Sequence, residues 1–370
     1  MKKLILLFVS VALFASVTAQ VAQKGYTISG TTKGFADGDT VYLATMYYLN
    51  FIPTDSTVVK DGKFFFKGVQ ENPELRFVLC VKNKQSVANS DFILENTDIK
   101  VNLDKGSTVR SDAFGGRDNE LWNKYVKQDS EWAAKMGPSW KISEDTTKTA
   151  EVRAAAKKEL DRLLKEQTVS QAKFIFDNLP SGASDILLGF YASTFDRKTF
   201  DEILAKMKEV CPNDDVYLAY VHQMDVESKT SIGHQYIDIA LKDPNGNIIK
   251  VSDYVSKNKV TMIDFWASWC GPCRAEMPNV IKAYRAYKDK GFAIVGVSLD
   301  SKGESWKNAI KTLGIPWPQI SDLKGWNSAG AAAYNITSIP ATILINQKGE
   351  IIAKNLRGED LEKKLSEVLK

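Results

Sequence analysis

The chain has 370 residues, which at about 150 residues per domain leaves room for two or three domains. Hydrophobic residues make up 44% and charged residues 25%, an ordinary globular balance that argues against wholesale disorder or a fibrous repeat. The formal net charge is +4 with the two signs interspersed, so the concentrated basic face that nucleic acid requires is missing and no polyanionic partner is indicated.

Residues 1–19 start with Lys2 and Lys3, run largely apolar from Leu4 to Ala15 and close on Ser16-Val17-Thr18-Ala19 before Gln20, the grammar of a cleavable secretory signal. An uncleaved anchor would need about 20 apolar residues, more than this run supplies. No Cys follows the run to carry a lipid, and no later stretch approaches a membrane span. The expected location is a bacterial periplasm, with the protein soluble after signal cleavage. Cys80, Cys211, Cys270 and Cys273 are too sparse for a disulfide framework, and only the last two are close in sequence.

From Gly25 to about residue 115 the pattern is short and β-like. Val41-Tyr42-Leu43, Val58-Val59, Phe64-Phe65-Phe66, Phe77 to Val81 and Asp98 to Leu103 are rich in β-branched and aromatic residues, with turn formers between them. Asp61-Gly62 between two such runs signals a β-hairpin, because its two-residue turn needs positive φ. A small antiparallel, sandwich-like β domain is expected over 25–115. From Asn119 to about Ser228 charged and apolar residues recur at helical spacing, giving a helical region over 116–230. Gly137-Pro138, Pro180-Ser181-Gly182 and Cys211-Pro212 are expected to divide it. Trp122, Trp132 and Trp140 read as packing for this region, and Cys80 and Cys211 as a packed and a helix-end residue.

After Gly233 the grammar changes again. Ile237, Ile239 and Leu241 alternate, Asp243-Pro244-Asn245-Gly246 turns, and Ile248 to Val251 returns as a second strand. A buried strand (Val260 to Phe265), a helix from Cys270, a strand (Ala293 to Leu299), a helix (Glu304 to Leu313), two strands (Thr342 to Asn346, Ile351 to Lys354) and a last helix (Glu359 to Leu369) follow. Strands alternating with helices give an α/β sheet over 233–370.

Trp269-Cys270-Gly271-Pro272-Cys273 lies between an apolar strand and a helix whose apolar positions Met277, Val280, Ile281 and Tyr284 mark a buried face. Two thiols three residues apart in a first helical turn have Cα atoms about 5 to 6 Å apart, within the span of a disulfide. The unpaired N–H groups and the positive end of the helix dipole favour a thiolate at Cys270, the expected nucleophile. Lowering a thiol pKa from about 8.5 to about 7 raises the thiolate fraction roughly 16-fold, while the loss of nucleophilicity takes back roughly 5-fold. The net gain is only about threefold, so docking of the partner disulfide and the leaving-group quality of Cys270 must supply most of the rate. Pro272 fits the first turn because its missing N–H would be unpaired there anyway.

Asp264-Phe265-Trp266-Ala267-Ser268-Trp269-Cys270-Gly271-Pro272-Cys273, with Pro278 and the downstream Ile339-Pro340-Ala341-Thr342, resembles the thioredoxin fold. The opening hairpin, the insertion around Glu304 to Trp326 and Glu276 three residues after Cys273 make the segment most similar to the TlpA/ResA-like exported thiol-disulfide oxidoreductases. The resemblance covers residues 233–370. It implies that Pro340 is a cis-proline, that Ile339 offers backbone hydrogen bonds to a substrate strand, and that Trp269, Gly271 and Pro272 border that strand. It also implies that Asp264 is a buried acid taking a proton from Cys273 and that Glu276 tunes the same transfers. Thioredoxins carry a Lys on the next strand, and Ala293 to Ser298 offers none.

A zinc site needs four ligands, and His222, His234, Cys80 and Cys211 form no matching pair; residue 274 is Arg rather than the His of haem attachment. No cofactor or metal is expected. A peroxiredoxin-type enzyme would have Thr where Ala267 stands. The resulting expectation is a protein-disulfide reductase acting on disulfide-containing exported proteins and fed by a membrane electron donor of the thiol-relay type. The alternatives are a binding or dimerisation scaffold or peptide holder built on residues 25–230, forming a homodimer through these N-terminal regions, or a flow of electrons in the oxidase or isomerase direction.

Overall fold

The computed structural model describes residues 25–47, 50–82, 85–106 and 113–370; the leader expected over 1–19 lies outside them. The chain forms two compact units, one up to Asp214 and one from Asp215 to Lys370. The β-rich and helical regions therefore share one unit, and the last helix expected within 116–230 clusters with the C-terminal unit. Its Glu227 accepts a hydrogen bond from Asn335 there at 3.1 Å.

The first unit opens with β1 (Tyr26–Lys33), β2 (Thr40–Tyr47), β3 (Asn50–Val58), β4 (Lys63–Gly68), β5 (Glu74–Lys82), β6 (Gln85–Leu94), β7 (Asp98–Asp104) and β8 (Ala113–Phe114). They make two four-stranded sheets, β4-β1-β7-β8 and β3-β2-β5-β6. Ile28, Phe64, Phe66, Ile99 and Val101 from the first sheet and Val41, Leu43, Val78 and Phe92 from the second bury one common core, as in a sandwich. The expected antiparallel pairing holds among the described strands except at one ladder: β1 and β7 run parallel, Thr27 opposite Asp98 through Lys33 opposite Asp104. The long excursion through the other sheet gives the chain room to return in the same direction. Asp61 and Gly62 do adopt positive φ, 50° and 68°, between the mutually bonded Lys60 and Lys63, but β3 and β4 leave that turn into different sheets.

Four helices follow, α1 (Arg117–Glu144), α2 (Ala150–Asp177), α3 (Gly182–Tyr191) and α4 (Arg197–Val210). Buried Asn119 on α1 bonds both the N–H and the C=O of Ile93 on β6, fixing the helix to the sandwich. The break expected at Gly137-Pro138 is absent, and α1 runs through Pro138. Ala134, whose carbonyl loses its partner to the ring, is exposed, so water can take that bond. The helix ends instead before Thr149, whose side chain accepts from Val152 N and starts α2. The other two breaks hold, with Ser181 capping α3 and Cys211 closing α4. Trp122 is buried, whereas Trp140 is 62% exposed and does not pack the region as expected. It lies late in α1, whereas the buried residues of that helix, Asn119, Trp122, Tyr125 and Val126 among them, lie in its first turns.

The second unit contains α5 (Asp215–Lys229), the β9 (Ala240–Lys242) and β10 (Ile248–Lys250) hairpin, α6 (Ser252–Val255), β11 (Val260–Trp266), α7 (Gly271–Tyr287), β12 (Phe292–Ser298), α8 (Gly303–Leu313), β13 (Gln319–Ile320), α9 (Ala329–Ala333), β14 (Ala341–Asn346), β15 (Ile351–Lys354) and α10 (Gly358–Val368). The main sheet has the order β13-β12-β11-β14-β15. β13, β12 and β11 are parallel, β14 is antiparallel to β11, and β15 is antiparallel to β14. Every residue of β11 and β12 is buried, as strands covered on both faces require. This is the thioredoxin-like α/β fold, with a β-rich region and helices ahead of it in the chain.

Candidate active site

Strand polarity brings the carboxyl ends of β11, β12 and β15 and the start of β14 to one edge of the sheet, where open α/β sheets hold their ligands. Cys270 follows β11 and is the N-cap of α7; its Sγ accepts from Cys273 N at 3.1 Å. Cys270 and Cys273 are joined as a disulfide with their Cα atoms 5.3 Å apart, inside the interval that the helical spacing implies. Both cysteines are buried, whereas Gly271 and Pro272 between them are exposed, and a Cβ built on Gly271 would meet nothing within 4 Å. A backbone partner can therefore approach the dipeptide.

Ile339 O lies 3.7 Å from Cys270 Sγ, and the Ile339-Pro340 bond is cis. Trp269 is 53% exposed beside Cys270, and its ring lies 6.0 Å from that of Trp326, also exposed. Trp269, Ile339 and Pro340 thus converge on the same sulfur from separate segments.

Asp264 sits near the end of β11, six residues before Cys270, buried and with no hydrogen-bond partner for its Oδ2. Burial, and secondarily the nearby Glu276, push its carboxyl up to about 7. A group of that pKa can both take and return a proton near neutrality. Glu276, one turn beyond Cys273, has both oxygens engaged: Oε1 accepts from Gly358 N at 2.7 Å and Oε2 from Asn279 Nδ2 at 3.0 Å. It ties the start of α10 to α7 while adding negative potential at Asp264.

Three supporting residues escaped sequence reasoning. Buried Asp300, just past β12, accepts from Ser268 N at 2.9 Å and from the Ser268 hydroxyl, holding the loop that leads to Cys270. Arg357, after β15, donates to Pro340 O and braces the cis-proline loop. Gln319 on β13 accepts from Trp266 Nε1 at 2.8 Å. Only Asp300 carried a signal, an acid at the carboxyl end of an apolar strand. Among the described residues no three His, Cys, Asp or Glu side chains gather as a metal site.

Residues 232–354 match the family model described as AhpC/TSA, and residues 26–122 match a domain of unknown function, DUF4369. The chain is 31% identical over 144 residues to the thiol-disulfide oxidoreductase ResA of Bacillus thuringiensis subsp. konkukian, covering 39% of this chain and 80% of the relative. It is 34% identical over 139 residues to the thioredoxin-like protein YneN of Bacillus subtilis, covering 36% of this chain and 78% of the relative. Among solved structures, the thioredoxin domain of a thiol-disulfide oxidoreductase from Bacteroides vulgatus is 36% identical, spanning 38% of this chain and 99% of that one, with a TM-score of 0.36.

Proposed function

The chain belongs to the ResA family of thioredoxin-like thiol-disulfide oxidoreductases, and from that premise we propose that it works as a periplasmic reductase of protein disulfides. The observation that carries this reading is the pair Cys270 and Cys273 at the start of α7, with the buried carboxyl of Asp264 near the end of β11.

In the reduced protein the Cys270 thiolate attacks one sulfur of a substrate disulfide. A Cys270 to substrate bond forms, the substrate S–S bond breaks, and the departing substrate thiolate takes a proton from water. Cys273 then gives its proton to the Asp264 carboxylate and attacks Cys270 Sγ. The mixed disulfide breaks, the second substrate sulfur leaves as a thiolate that takes a proton from water, the intramolecular disulfide closes, and Asp264 gives its proton back to water. Two electrons pass from the dithiol to the substrate. Ile339 and Pro340 receive the substrate strand, while Trp269, Gly271 and Pro272 form the rim against which it lies. Glu276 acts on the same proton transfers through the potential it adds at Asp264.

The Gly271-Pro272 dipeptide, the one thioredoxins use, supports the reductase direction, and Ala267 in place of Thr weighs against peroxidase chemistry. The leader-like residues 1–19 support export, so the substrates are disulfide-containing exported proteins. Electrons then come from a membrane donor of the thiol-relay type. Among the described residues no helix is long and apolar enough to cross a membrane.

Changing Cys273→Ala should arrest the cycle after the first step and trap substrates on Cys270 as DTT-sensitive adducts recovered from periplasmic extracts. Recovery of none would overturn the scheme. Equilibration of the purified protein with glutathione tests direction: a potential in the region of about −270 mV supports a reductase, and one near about −120 mV contradicts it.

A further inference from the structure

Asp264 on β11 stands opposite Gly296 on β12, and Gly296 stands opposite Gln319 on β13. All three strands are parallel, so side chains at these register positions rise from the same face of the sheet. Trp266, two residues past Asp264, shares that face, and its indole N–H donates to Gln319 Oε1 at 2.8 Å. A Cβ built on Gly296 would fall 2.2 Å from Gln319 Nε2 and 2.3 Å from its Oε1. Glycine is therefore required there because the Gln319 amide lies folded over that position toward β11. The position at which a neighbouring strand could offer a cation to Asp264 is filled by an amide reaching across from the next strand.

The indole fixes which way the amide points, since Oε1 must face the N–H donor. Nε2, a donor, is left without a partner, and Gln319 is 3% exposed. Asp264 Oδ2, an acceptor, is likewise unpartnered and 3% exposed. Two buried groups of complementary type on one face are each too costly to leave unmade. We infer that Gln319 is a positioning residue for the resolving step: its Nε2 donates to a buried water that donates in turn to Asp264 Oδ2, holding the carboxylate ready for the Cys273 proton. A bridging water suits a polar site with two partners of this kind.

The other groups facing Asp264 are few. From α7 comes Glu276, and β14 places Thr342 opposite Asp264, with its hydroxyl donating to Leu356 O at 3.1 Å. From the β12 and β13 side the Gln319 amide lies over Gly296, while the buried Ser298 hydroxyl, two residues further along the same face of β12, is spent on Asp300 at 2.8 Å. This inference rests on the proposed dithiol chemistry and assigns a residue within it.

The test uses the full reduced protein and a chromogenic aromatic disulfide in single turnover, where the first thiol released reports attack by Cys270 and the second reports attack by Cys273. Gln319→Leu keeps volume and removes the donor, and should raise the pH midpoint of the second release by about one unit. Gly296→Ala, which displaces the amide by its Cβ, should move it in the same direction. Trp266→Phe removes the indole partner but keeps the donor, and should shift the midpoint by much less. An unshifted midpoint in Gln319→Leu, or an equal shift in Trp266→Phe, would overturn the inference. No first release from the wild-type protein would instead overturn the dithiol reading, and this assignment with it.

Discussion

Strands β7 and β11 both carry acids, and the difference between them is what water does. β7 alternates exposed and buried residues, with Asp98 and Asp104 on its wet side, where Asp98 accepts from the Thr27 hydroxyl at 2.6 Å. β11 has no wet side, and its acid, Asp264, is pushed up to about 7 by burial before any charge adds to the effect. A sandwich strand can carry carboxylates as ordinary surface groups. A strand covered on both faces turns the same side chain into a proton acceptor that works near neutrality.

The contrast is sharpest in stability. Ile263→Ala, in the fully buried β11, should destabilise the protein by about 2–5 kcal/mol in a denaturant titration, since it leaves a cavity between two packed layers. Lys100→Ala, on the wet face of β7, should cost less than about 0.5 kcal/mol by the same measurement. Comparable losses would mean that the two sheets are not built differently.

Linkage gives a second test. A carboxyl whose folded pKa lies above its unfolded value contributes stability fully below pH ~4, and that contribution is lost as pH rises through about 7. Asp264→Asn removes the penalty, so the oxidised variant should exceed the wild type at pH 8 by up to about 4 kcal/mol, the gap closing toward pH 4. The same variant should slow the second thiol release by about 100-fold, because its proton acceptor is gone. Asp185 in the first unit is also pushed up to about 7, by burial with Asp214 and Asp118 adding to it, but it is only partly buried. Asp185→Asn should stabilise by about 1 kcal/mol at pH 8 with no change in exchange kinetics. If both variants affected exchange equally, proton transfer would not be confined to the covered sheet.

The smallest effect concerns the loop at the mouth of the site. Arg357→Ala removes the donor to Pro340 O and should raise KM for a disulfide-bonded protein by about threefold while kcat changes less. A fall in kcat alone would place Arg357 in the chemistry instead of in substrate reception.

Much of the second unit was legible because its strands are continuous apolar runs and its helices carry clean apolar faces, as in Met277, Val280, Ile281 and Tyr284. The first unit is less legible. β1 and β6 are rich in Ser, Thr, Gln and Asn, so their alternation is faint, and nothing local could reveal that β1 pairs in parallel with a strand some seventy residues away. Pro138 does not break α1, because at exposed Ala134 water can replace the lost bond. At the site, Cys270, Cys273 and Asp264 announce themselves within one short segment, whereas Arg357, Asp300 and Gln319 reach it only through the order of strands. Their residue types carry no mark of that role until the sheet is assembled.

The most direct measurement is the pH dependence of alkylation of the native, fully reduced protein, resolved by site. Cys270 should titrate below the value of about 8.5 typical of a free thiol and react well ahead of Cys273. Equal rates at the two sulfurs, or a Cys270 midpoint at or above that of a free thiol, would contradict the helix-terminus nucleophile on which the proposed chemistry depends.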